Sequence, residues 1–525
     1  MVAMVTRVAV LAIIMVVGVG VWGAEGSAED VLCPLCMDAV SDIEAGVATN
    51  ATESEIVAAL SKVCDLVPSG EKRAKCETEF AGLAPLLNSS DESVLVKYTP
   101  REVCGWPRLC SFDCCTTPYT PEQIHLSLGP SVGTMRVTWV TLLAMDAPVC
   151  KWGSAQGVYP HSAPASSLTY DNGGWVGVVH TCLMTGLVPG DRVFYTVGSG
   201  EHSYWDHPNW AQPKDLSFAV PLAPGKTAPG SKTVYAQYAD MGAMDASDKT
   251  MARLSELVLD SKLDFILHSG DIGYADGAEA IWDEFGRKIE IVSGYIPYQV
   301  AKGNHEVYYY GEPMYTRYPG PSSGWTENGA DGMYYSFSYG HVKMIVLDSE
   351  NDFGLAPDLH DGGKQRAWLE AELAAANTPQ ARAEHPWVVV TMHRPMYCPS
   401  HSTDCTEFAP LFRDALEDLF LKYDVDLHHS GHRHSYSRTT SIYQSKVMPP
   451  GSAPVYVVCG VGGSKEGPSG GFPPTPQPWS AFHAEDWGFL LVEANATVLT
   501  GSYVSAYTGA VLDSFDLTKQ HQQQR

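Results

Sequence analysis

The stretch Leu263-Asp-Phe-Ile-Leu-His-Ser-Gly270-Asp271-Ile-Gly-Tyr274 joins a short apolar run to a glycine turn that carries a carboxylate and a phenol. Such a run, bounded by turn residues, predicts a buried strand that ends at the turn. Hard oxygen donors and imidazoles in loops are what a two-metal hydrolytic site requires. Four other polar blocks follow apolar runs in the same way: Tyr238-Ala-Asp240-Met-Gly242, Gly303-Asn304-His305-Glu306, Thr391-Met-His393-Arg-Pro395 and Gly431-His432-Arg-His434.

The sequence around these blocks predicts a domain in which short strands alternate with helices. Predicted strands lie at Val234–Ala239, Leu263–His268, Ile296–Ala301, Val342–Leu347, Trp387–Thr391 and Val425–His429, and predicted helices lie at Met251–Lys262, Lys364–Ala375 and Phe408–Tyr423. This alternation is typical of a layered α/β or α+β domain with a central sheet. Because ligands gather at strand ends in such folds, we expect one edge of the sheet to collect Asp240, Asp271, Asn304, His393, His432 and His434.

The residue types in these blocks suit metal ligands. The Asp271 carboxylate can bridge two cations, and Asn304 is a neutral oxygen donor. A turn between His432 and His434 would direct their imidazoles to separate metals. Tyr274 is the most selective candidate, because ionising a phenol of pKa about 10 near pH 5 requires a strongly acidic cation such as Fe(III).

The five blocks resemble the metallophosphoesterase signature in its purple acid phosphatase form, with Gly-Asp-x-x-Tyr in the second block and Gly-His-x-His in the last. The resemblance implies a dinuclear Fe(III)–M(II) centre that hydrolyses phosphate monoesters, with a metal-bound hydroxide as the nucleophile. His305 is the candidate for proton donation to the leaving oxygen or for hydrogen bonding to phosphate. The implied ligands are Asp240, Tyr274 and His434 for Fe(III), Asn304, His393 and His432 for a divalent Zn, Mn or Fe, and Asp271 as the bridge.

Two positions depart from the family pattern. Ala239 stands before Asp240 where the family usually has glycine, and we expect the added methyl to change packing without moving the carboxylate. The loop after His393 reads Arg-Pro-Met-Tyr-Cys, and a Cys398–Cys405 disulfide is expected to close it. Plant members of the family carry substrate-binding histidines in this loop, so His401 is the candidate substrate contact in this chain.

The N-terminus and the cysteine content indicate the secretory pathway. An apolar run from Val8 to Trp22 follows Arg7 and precedes small residues, which predicts a signal peptide over residues 1–23 rather than an uncleaved anchor. The chain has 13 cysteines and N-glycosylation sequons at Asn50, Asn88 and Asn495. We therefore expect a soluble glycoprotein, secreted or held in a lysosomal or vacuolar lumen. Its formal charge of −26 argues against nucleic acid as a partner.

Six cysteines frame the first module, and the apolar residues between them recur at helical spacing. A module of about 80 residues has a small core, so disulfides would supply much of its stability. The cysteine spacing resembles a saposin B-type domain, which implies contact with lipid or a membrane surface. A helical cap that only packs on the next domain is the alternative. The implied bridges are Cys33–Cys110, Cys36–Cys104 and Cys64–Cys76.

Residues from Pro121 to Pro221 form short β-rich runs separated by turns, with Cys150 and Cys182 placed to bridge two of them. This stretch resembles the fibronectin III-like domain that precedes the catalytic domain of high-molecular-weight purple acid phosphatases. The expected fold is therefore multidomain, with a helical disulfide-stapled saposin-like module, a β-sandwich, and an α/β metallophosphoesterase domain whose central β-sheets are flanked by helices. The expected boundaries are 29–112, 118–222 and 232–448, followed by a C-terminal region at 453–518.

Two other functions compete with the phosphatase. Acid sphingomyelinases, which are lipid phosphodiesterases, also join a saposin domain to a metallophosphoesterase domain. Their first block reads Asp-x-His, whereas this chain has Asp240-Met-Gly242. A catalytically inactive lipid-binding glycoprotein is the other alternative, although an unused site would be expected to lose at least one of its seven ligands. The partners of Cys114, Cys115 and Cys459 and the oligomeric state are left open.

Overall fold

The computed structural model describes residues 37, 112–115, 117–199, 216–223, 231–321, 334–351, 354–355 and 357–519. The predicted signal peptide, the six saposin-type cysteines and the sequons at Asn50 and Asn88 lie outside these residues. The chain divides into two compact units. The first comprises residues 1–116, 169–177 and 276–282, and the second comprises residues 117–168, 178–275 and 283–525.

Short strands dominate the first half of the described chain: β1 (Phe112–Asp113), β2 (Glu122–Leu128), β3 (Met135–Thr141), β4 (Val149–Gly153), β5 (His161–Leu168), β6 (Trp175–Val176), β7 (Val178–Met184), β8 (Arg192–Gly198) and β9 (Leu216–Ala219). Strands and helices then alternate: β10 (Thr233–Tyr238), α1 (Asp248–Leu259), β11 (Phe265–His268), α2 (Ala280–Ser293), β12 (Tyr298–Val300), α3 (Glu312–Arg317), β13 (Tyr335–Tyr339), β14 (Val342–Val346), β15 (Glu350–Asn351), β16 (Gly354–Leu355), α4 (Lys364–Ala376), α5 (Pro379–Glu384), β17 (Trp387–Thr391), α6 (Ala409–Lys422) and β18 (Leu427–Ser430). The remaining strands are β19 (Tyr436–Thr439), β20 (Ile442–Tyr443), β21 (Lys446–Val447), β22 (Val455–Cys459), β23 (Ser480–Ala484), β24 (Gly488–Ala494), β25 (Val498–Ser505) and β26 (Val511–Thr518).

In the first unit, β1 and β6 form a short parallel pair, and a disulfide joins the adjacent cysteines Cys114 and Cys115. Trp175 stacks on Tyr170 with 4.3 Å between the ring centroids. The disulfide accounts for two of the three cysteines that the sequence leaves open. Among the described cysteines, Cys459 of the second unit has a free thiol, which is buried.

An antiparallel sheet in the second unit holds the strand-rich stretch that the sequence predicts. Its described strands have the order β2-β3-β7-β5-β4-β8-β9. The first half of β5 pairs with β4 and its second half pairs with β7, so β5 joins two groups of strands. A disulfide links Cys150 on β4 to Cys182 on β7. The sheet domain is therefore present, while its fibronectin III-like classification stays a prediction.

Two further sheets form the part of the second unit that follows residue 231. Among the described strands, one sheet has the order β12-β11-β10-β24-β25-β26, in which β10, β11 and β12 run parallel. The other has the order β13-β14-β17-β18-β22-β19-β23, in which β14, β17, β18 and β22 run parallel. The central sheet expected from the alternation of strands and helices is therefore a pair of sheets.

The two sheets pack against each other through buried aromatic side chains. Tyr235 on β10 makes a 2.9 Å hydrogen bond with Nε2 of His429 on β18, and Tyr436 on β19 stacks on Tyr503 on β25 with 4.0 Å between ring centroids. All four side chains are fully buried. Burial of a side chain of this size contributes about 1.5–3 kcal/mol to the free energy of folding. These contacts therefore stabilise the packing of the two sheets.

Helices α4 and α6 cover the second sheet. Leu369 of α4 and Phe412 of α6 belong to one buried cluster with Val388 and Val390 of β17. Since successive strand residues point to opposite faces, this cluster lies on one face of the sheet and His429 lies on the other. Strands β17 and β22 are nearly continuous apolar runs, which is the pattern expected of parallel strands buried on both faces.

Two features of the described residues bear on the predicted secretory route. Asn495, a predicted glycosylation site, lies in the turn between β24 and β25, and its Oδ1 accepts the backbone N–H groups of Thr497 and Val498. Within the described ranges, no helix combines the length and the apolar character needed to cross a membrane.

Candidate metal centre

All five polar blocks follow the carboxyl ends of parallel strands. Asp240 lies two residues after β10, Asp271 three after β11 and Asn304 four after β12, while His393 and His432 each lie two residues after the ends of β17 and β18. The first three strands belong to one sheet and the last two to the other. The paired sheets therefore bring the blocks together from two directions.

The backbone is unusual at four of the seven predicted ligands. Asp240, Asp271, Tyr274 and His432 have φ angles of 59°, 51°, 53° and 67°. L-residues rarely occupy this left-handed region, and such conformations concentrate at functional sites. At His432 the left-handed conformation lies at the start of the short segment that leads to His434.

One half of the centre consists of Asp240, Tyr274 and His434, all buried. The Tyr274 hydroxyl lies 2.8 Å from Nε2 of His434 and donates a hydrogen bond of 3.1 Å to Oδ1 of Asp240. Nε2 of His434 is 3.3 Å from the same Oδ1. The other ring nitrogen of His434, Nδ1, faces the carbonyl oxygen of Gly467 at 3.0 Å. One phenol, one carboxylate and one imidazole thus converge on a single point.

The other half consists of Asn304, His393 and His432. Nε2 of His393 lies 3.2 Å from Oδ1 of Asn304 and 3.0 Å from Oδ2 of Asp271. Asp271, His393 and His432 each offer one ligand atom, and these three atoms lie within 4.8 Å of one another, as a shared metal ion requires. Asp271 therefore reaches the second half, and its own loop carries Tyr274 of the first half.

The loops are held together by backbone hydrogen bonds and by glycines at close approaches. The N–H groups of residues 240–242 donate in sequence to the carbonyls of residues 270–272. A Cβ on Gly303 would lie 2.2 Å from Oδ1 of Asp271, and a Cβ on Gly431 would lie 2.2 Å from the Cβ of Ala239. The methyl of Ala239 therefore fits because residue 431 is glycine, and the Asp240 carboxylate keeps its contacts.

Charges within the centre shift the pKa values of its members. Burial alone would raise the pKa of Asp271, but the imidazoles of His393 and His305 hold it well below the usual range. Burial alone would lower the pKa of His393, but Asp271 and its hydrogen bond raise it to about 10. Burial and the neighbouring carboxylates Asp240 and Asp271 keep the pKa of Tyr274 well above its usual range. Without cations the centre thus holds protons that bound metals would displace.

The predicted substrate contacts differ in their surroundings. The side chain of His305 is 17% exposed, its Nε2 lies 3.9 Å from Oδ2 of Asp271 and 3.8 Å from Oε1 of Glu466, and its ring packs on that of Tyr274 at 4.2 Å between centroids. His401 is exposed, and its backbone N–H donates to the carbonyl of Gly471. His305 therefore lies at the centre and opens to solvent, whereas His401 lies on an exposed part of its loop.

Several residues at the centre are not identified from the sequence. Arg394, next to His393, is partly exposed and forms an ion pair of 2.7 Å with the buried Glu350. Asp404 lies 3.0 Å from Nε2 of His432, beside the disulfide that joins Cys398 and Cys405. The chain offers a weak signal for Asp404, since it directly precedes a cysteine in the loop where substrate-binding residues are expected. Glu350 belongs to none of the five blocks.

Four family models match the chain. The model described as purple acid phosphatase, N-terminal domain, matches residues 121–214, and the calcineurin-like phosphoesterase model matches residues 234–436. The model described as iron/zinc purple acid phosphatase-like protein C matches residues 453–514. A saposin-like type B, region 1 model matches residues 31–68. The matched segments follow the order of domains that the sequence predicts.

Known relatives and solved structures align with most of the chain. Acid phosphatase type 7 of Danio rerio is 31% identical over 432 residues, which cover 76% of this chain and 91% of that protein. A protein named probable inactive purple acid phosphatase 1, from Arabidopsis thaliana, is 28% identical over 453 residues, which cover 77% of this chain and 70% of that protein. The structure of purple acid phosphatase PPD1 from yellow lupin (Lupinus luteus) seeds aligns with a TM-score of 0.67 at 25% identity, covering 77% of this chain and 76% of that one. Because these relatives include one named inactive, similarity alone does not indicate activity, and the ligand residues of this chain are the relevant evidence.

Proposed function

The chain belongs to the purple acid phosphatase family, and from this we propose that it is a metal-dependent acid phosphatase that hydrolyses phosphate monoesters. The observation that carries the proposal is that the seven candidate ligands meet at the carboxyl ends of parallel strands in two facing sheets. All seven positions that hold metal ligands in the family pattern carry a side chain with a donor atom in this chain. An intact donor set supports an active enzyme over a relic of one.

The donor chemistry fits two different metal ions. A phenol and a carboxylate suit a hard trivalent cation, whereas imidazoles with a neutral amide oxygen suit a divalent one. Positive charge would compensate the buried carboxylates of Asp240 and Asp271. Asp271 lies beside His393 of one half and on the loop that carries Tyr274 of the other half. When bound, such a metal pair would polarise phosphate oxygens and make water nucleophilic at acid pH. We assign Fe(III) to Asp240, Tyr274 and His434, a divalent Zn, Mn or Fe to Asn304, His393 and His432, and the bridging role to Asp271.

His305 is the residue of this chain that we assign to the reacting phosphate. Its partial exposure and its position beside Asp271 allow it to reach a phosphate oxygen or the leaving oxygen. Its Nε2 also lies 3.8 Å from Oε1 of Glu466, and an imidazole at this place would serve as the donor of a proton to the leaving oxygen. His401 is proposed as a further substrate-binding residue, on the exposed side of its loop.

The substrate class is tested by comparing a soluble aryl phosphate with a phosphocholine diester, each with and without anionic liposomes. We expect the full-length protein to hydrolyse the aryl phosphate at acid pH. Removing the metals should lower kcat/KM by about 10³-fold or more, and adding iron with a divalent metal should restore it. Preferential turnover of the diester would favour the lipid phosphodiesterase. Liposome binding without turnover of either substrate would favour an inactive lipid-binding protein.

The iron assignment has a spectroscopic test at Tyr274. We expect the purified protein to absorb visible light through charge transfer from the Tyr274 phenolate to Fe(III), and the Tyr274→Phe variant to lose this band. Tyr238→Phe is a matched control, because Tyr238 is a buried tyrosine of the same unit whose hydroxyl contacts Tyr298 at 2.9 Å. A Tyr274→Phe protein that keeps its colour would disprove the tyrosinate assignment.

We also propose how the remaining parts of the chain contribute. The strand-rich domain at 118–222 would be a fibronectin III-like scaffold beside the catalytic domain at 232–448, and 453–518 would complete the family's C-terminal region. The saposin-like module at 29–112 would be helical and would present phosphate esters at a lipid surface. The match of a saposin-like model to residues 31–68 supports this, as does the predicted secretory route. Glycosylation is proposed at Asn50, Asn88 and Asn495.

A further inference from the structure

The loop after β17 brings an additional carboxylate to the divalent half of the centre. Oδ1 of Asp404 lies 3.0 Å from Nε2 of His432, and Oδ2 of Asp404 lies 3.5 Å from Nη1 of Arg433. Its side chain is 23% exposed, so the contact with His432 is largely shielded from water. Asp404 belongs to neither half of the predicted ligand set.

The contact decides which ring nitrogen of His432 is available to a metal. An imidazole has two nitrogens, and a metal takes the one that carries no proton. Nε2 of His432 faces Asp404, and an ionised carboxylate can only accept a hydrogen bond, so Nε2 must carry the proton in this contact. Nδ1 is then the nitrogen left with a free lone pair. One ring nitrogen of His432 already groups with the ligand atoms of Asp271 and His393.

On the basis of the metal centre proposed above, we propose that Asp404 is a positioning residue for the divalent metal. Its carboxylate accepts the Nε2–H of His432, fixes the ring in the Nδ1-binding tautomer and raises the basicity of Nδ1. Carboxylates that hold the far nitrogen of a metal-binding histidine act in this way in other metal sites. Asp404 would touch neither the metal nor the substrate, and it would act through His432.

The guanidinium of Arg394 also lies beside Nε2 of His432 and would favour an unprotonated nitrogen there. Nη1 of Arg394 lies 3.1 Å from Nε2 of His432, but a guanidinium only donates hydrogen bonds, so this contact and the Asp404 contact require opposite protonation of Nε2. Arg394 is already held by both carboxylate oxygens of Glu350, at 2.7 and 2.9 Å. Its Nη1 is also 3.8 Å from Oδ1 of Asp404. With a cation on Nδ1, the ring keeps its Nε2 proton for Asp404, and Arg394 keeps its pair with Glu350.

The covalent structure of the loop explains how Asp404 is kept in place. Cys405, the next residue, is joined to Cys398, which lies five residues after His393. Asp404 also begins the single π-helical turn Asp404–Phe408, which leads directly into α6. The disulfide and the helix therefore fix the loop on both sides of the carboxylate. If the proposal is correct, the disulfide contributes to divalent-metal binding through Asp404.

The experiment compares full-length holoprotein with the variants Asp404→Ala and Asp404→Asn. Glu407→Gln is the matched control, because Glu407 is an exposed acidic residue of the same turn. Iron and divalent metal are measured per chain after dialysis against graded chelator, together with the visible spectrum and the melting temperature. We expect Asp404→Ala to weaken divalent-metal binding by about 10–100-fold while iron content and colour stay unchanged. Asp404→Asn should recover part of the loss, because its amide oxygen can still accept the Nε2–H.

The possible outcomes separate this proposal from the proposed function. If the wild-type protein holds two metals and Asp404→Ala binds the divalent metal as tightly, the positioning role is wrong and the phosphatase proposal stands. A parallel loss of both metals with a lower melting temperature would also overturn it, because that pattern indicates a structural role. If the wild-type protein binds no metal pair, both proposals fail. A Cys398→Ser/Cys405→Ser variant should lose divalent metal in the same selective way, and unchanged retention would contradict the role of the disulfide.

Discussion

Replacing Asp271 with asparagine is expected to lower kcat/KM for an aryl phosphate by about 10³-fold or more and to reduce the bound metal from two ions per chain to one or none. The carboxylate is the only proposed ligand shared by both metals, and an amide offers one neutral oxygen instead of two anionic ones. Oδ2 of Asp271 lies 3.0 Å from Nε2 of His393, and its Oδ1 accepts the N–H of His305 at 2.9 Å. Metal content, steady-state kinetics and the melting temperature measure the effect.

The fold should tolerate this change, which separates loss of metal from loss of structure. Asparagine has nearly the same shape and can still accept the His305 N–H, so the variant should fold, with a lower melting temperature because the buried ion pair with His393 is lost. Asp264→Asn is the control. Asp264 precedes β11 at its other end, where its Oδ2 accepts the N–H of Val234 at 2.7 Å. Two metals and activity within tenfold of wild type in Asp271→Asn would refute the bridging role.

The candidate ligands can be identified from the sequence because they come in local blocks. Each block joins an apolar run to donor atoms, so the period of the strands and the residue types carry most of the information. The packing of the two sheets against each other is harder to predict, because it depends on contacts such as that of Tyr235 with His429, which are 194 residues apart in the sequence. The ligand halves are visible in the sequence only through the resemblance to the family, since periodicity alone does not indicate which loops meet.

The boundaries of elements depend on local hydrogen bonds that hydrophobic patterns do not report. The strand predicted to begin at Ile296 begins at Tyr298, because Pro297 has no N–H to donate to the neighbouring strand. Helix α1 begins at Asp248, three residues before the predicted Met251, and an acidic residue in the first turn suits the helix dipole. It ends at Leu259, just before Ser261 adopts a left-handed φ of 55°.

Residues that support the ligands without binding a metal are the ones that the sequence does not predict. Asp404 and Glu350 lie outside the five blocks: Asp404 lies further along the loop that begins with His393, and Glu350 lies in β15. Their roles follow from distances to His432 and Arg394. Glu306 is the intermediate case. Its place beside Asn304 and His305 suggests a supporting role, but only the structure reveals that its carboxylate binds the backbone of two different loops.

Glu306→Ala is expected to lower the free energy of unfolding by about 3–5 kcal/mol and also to lower metal content. The buried Glu306 carboxylate accepts the N–H groups of Asp271 and Ile272, each at 2.8 Å, and of Gly303 at 2.9 Å. Leaving each N–H unpaired costs about 1–3 kcal/mol. These bonds tie the loop after β11 to the loop after β12, so their loss would also release Asp271 and Asn304 from their relative positions.

Two further variants distinguish support of the metal loops from general stabilisation. In Glu306→Gln the amide oxygen can still accept two of the three N–H groups, but its NH₂ group faces a third donor, so we expect an intermediate loss of both stability and metal. Asp426→Ala is the control, because Oδ2 of Asp426 accepts the N–H of Val388 at 2.9 Å near the start of β17, at the opposite end of that strand from His393. It should lose stability and keep both metals. If Glu306→Ala unfolds more easily yet binds both metals with wild-type affinity, then Glu306 stabilises the fold and the loops hold their ligands without it.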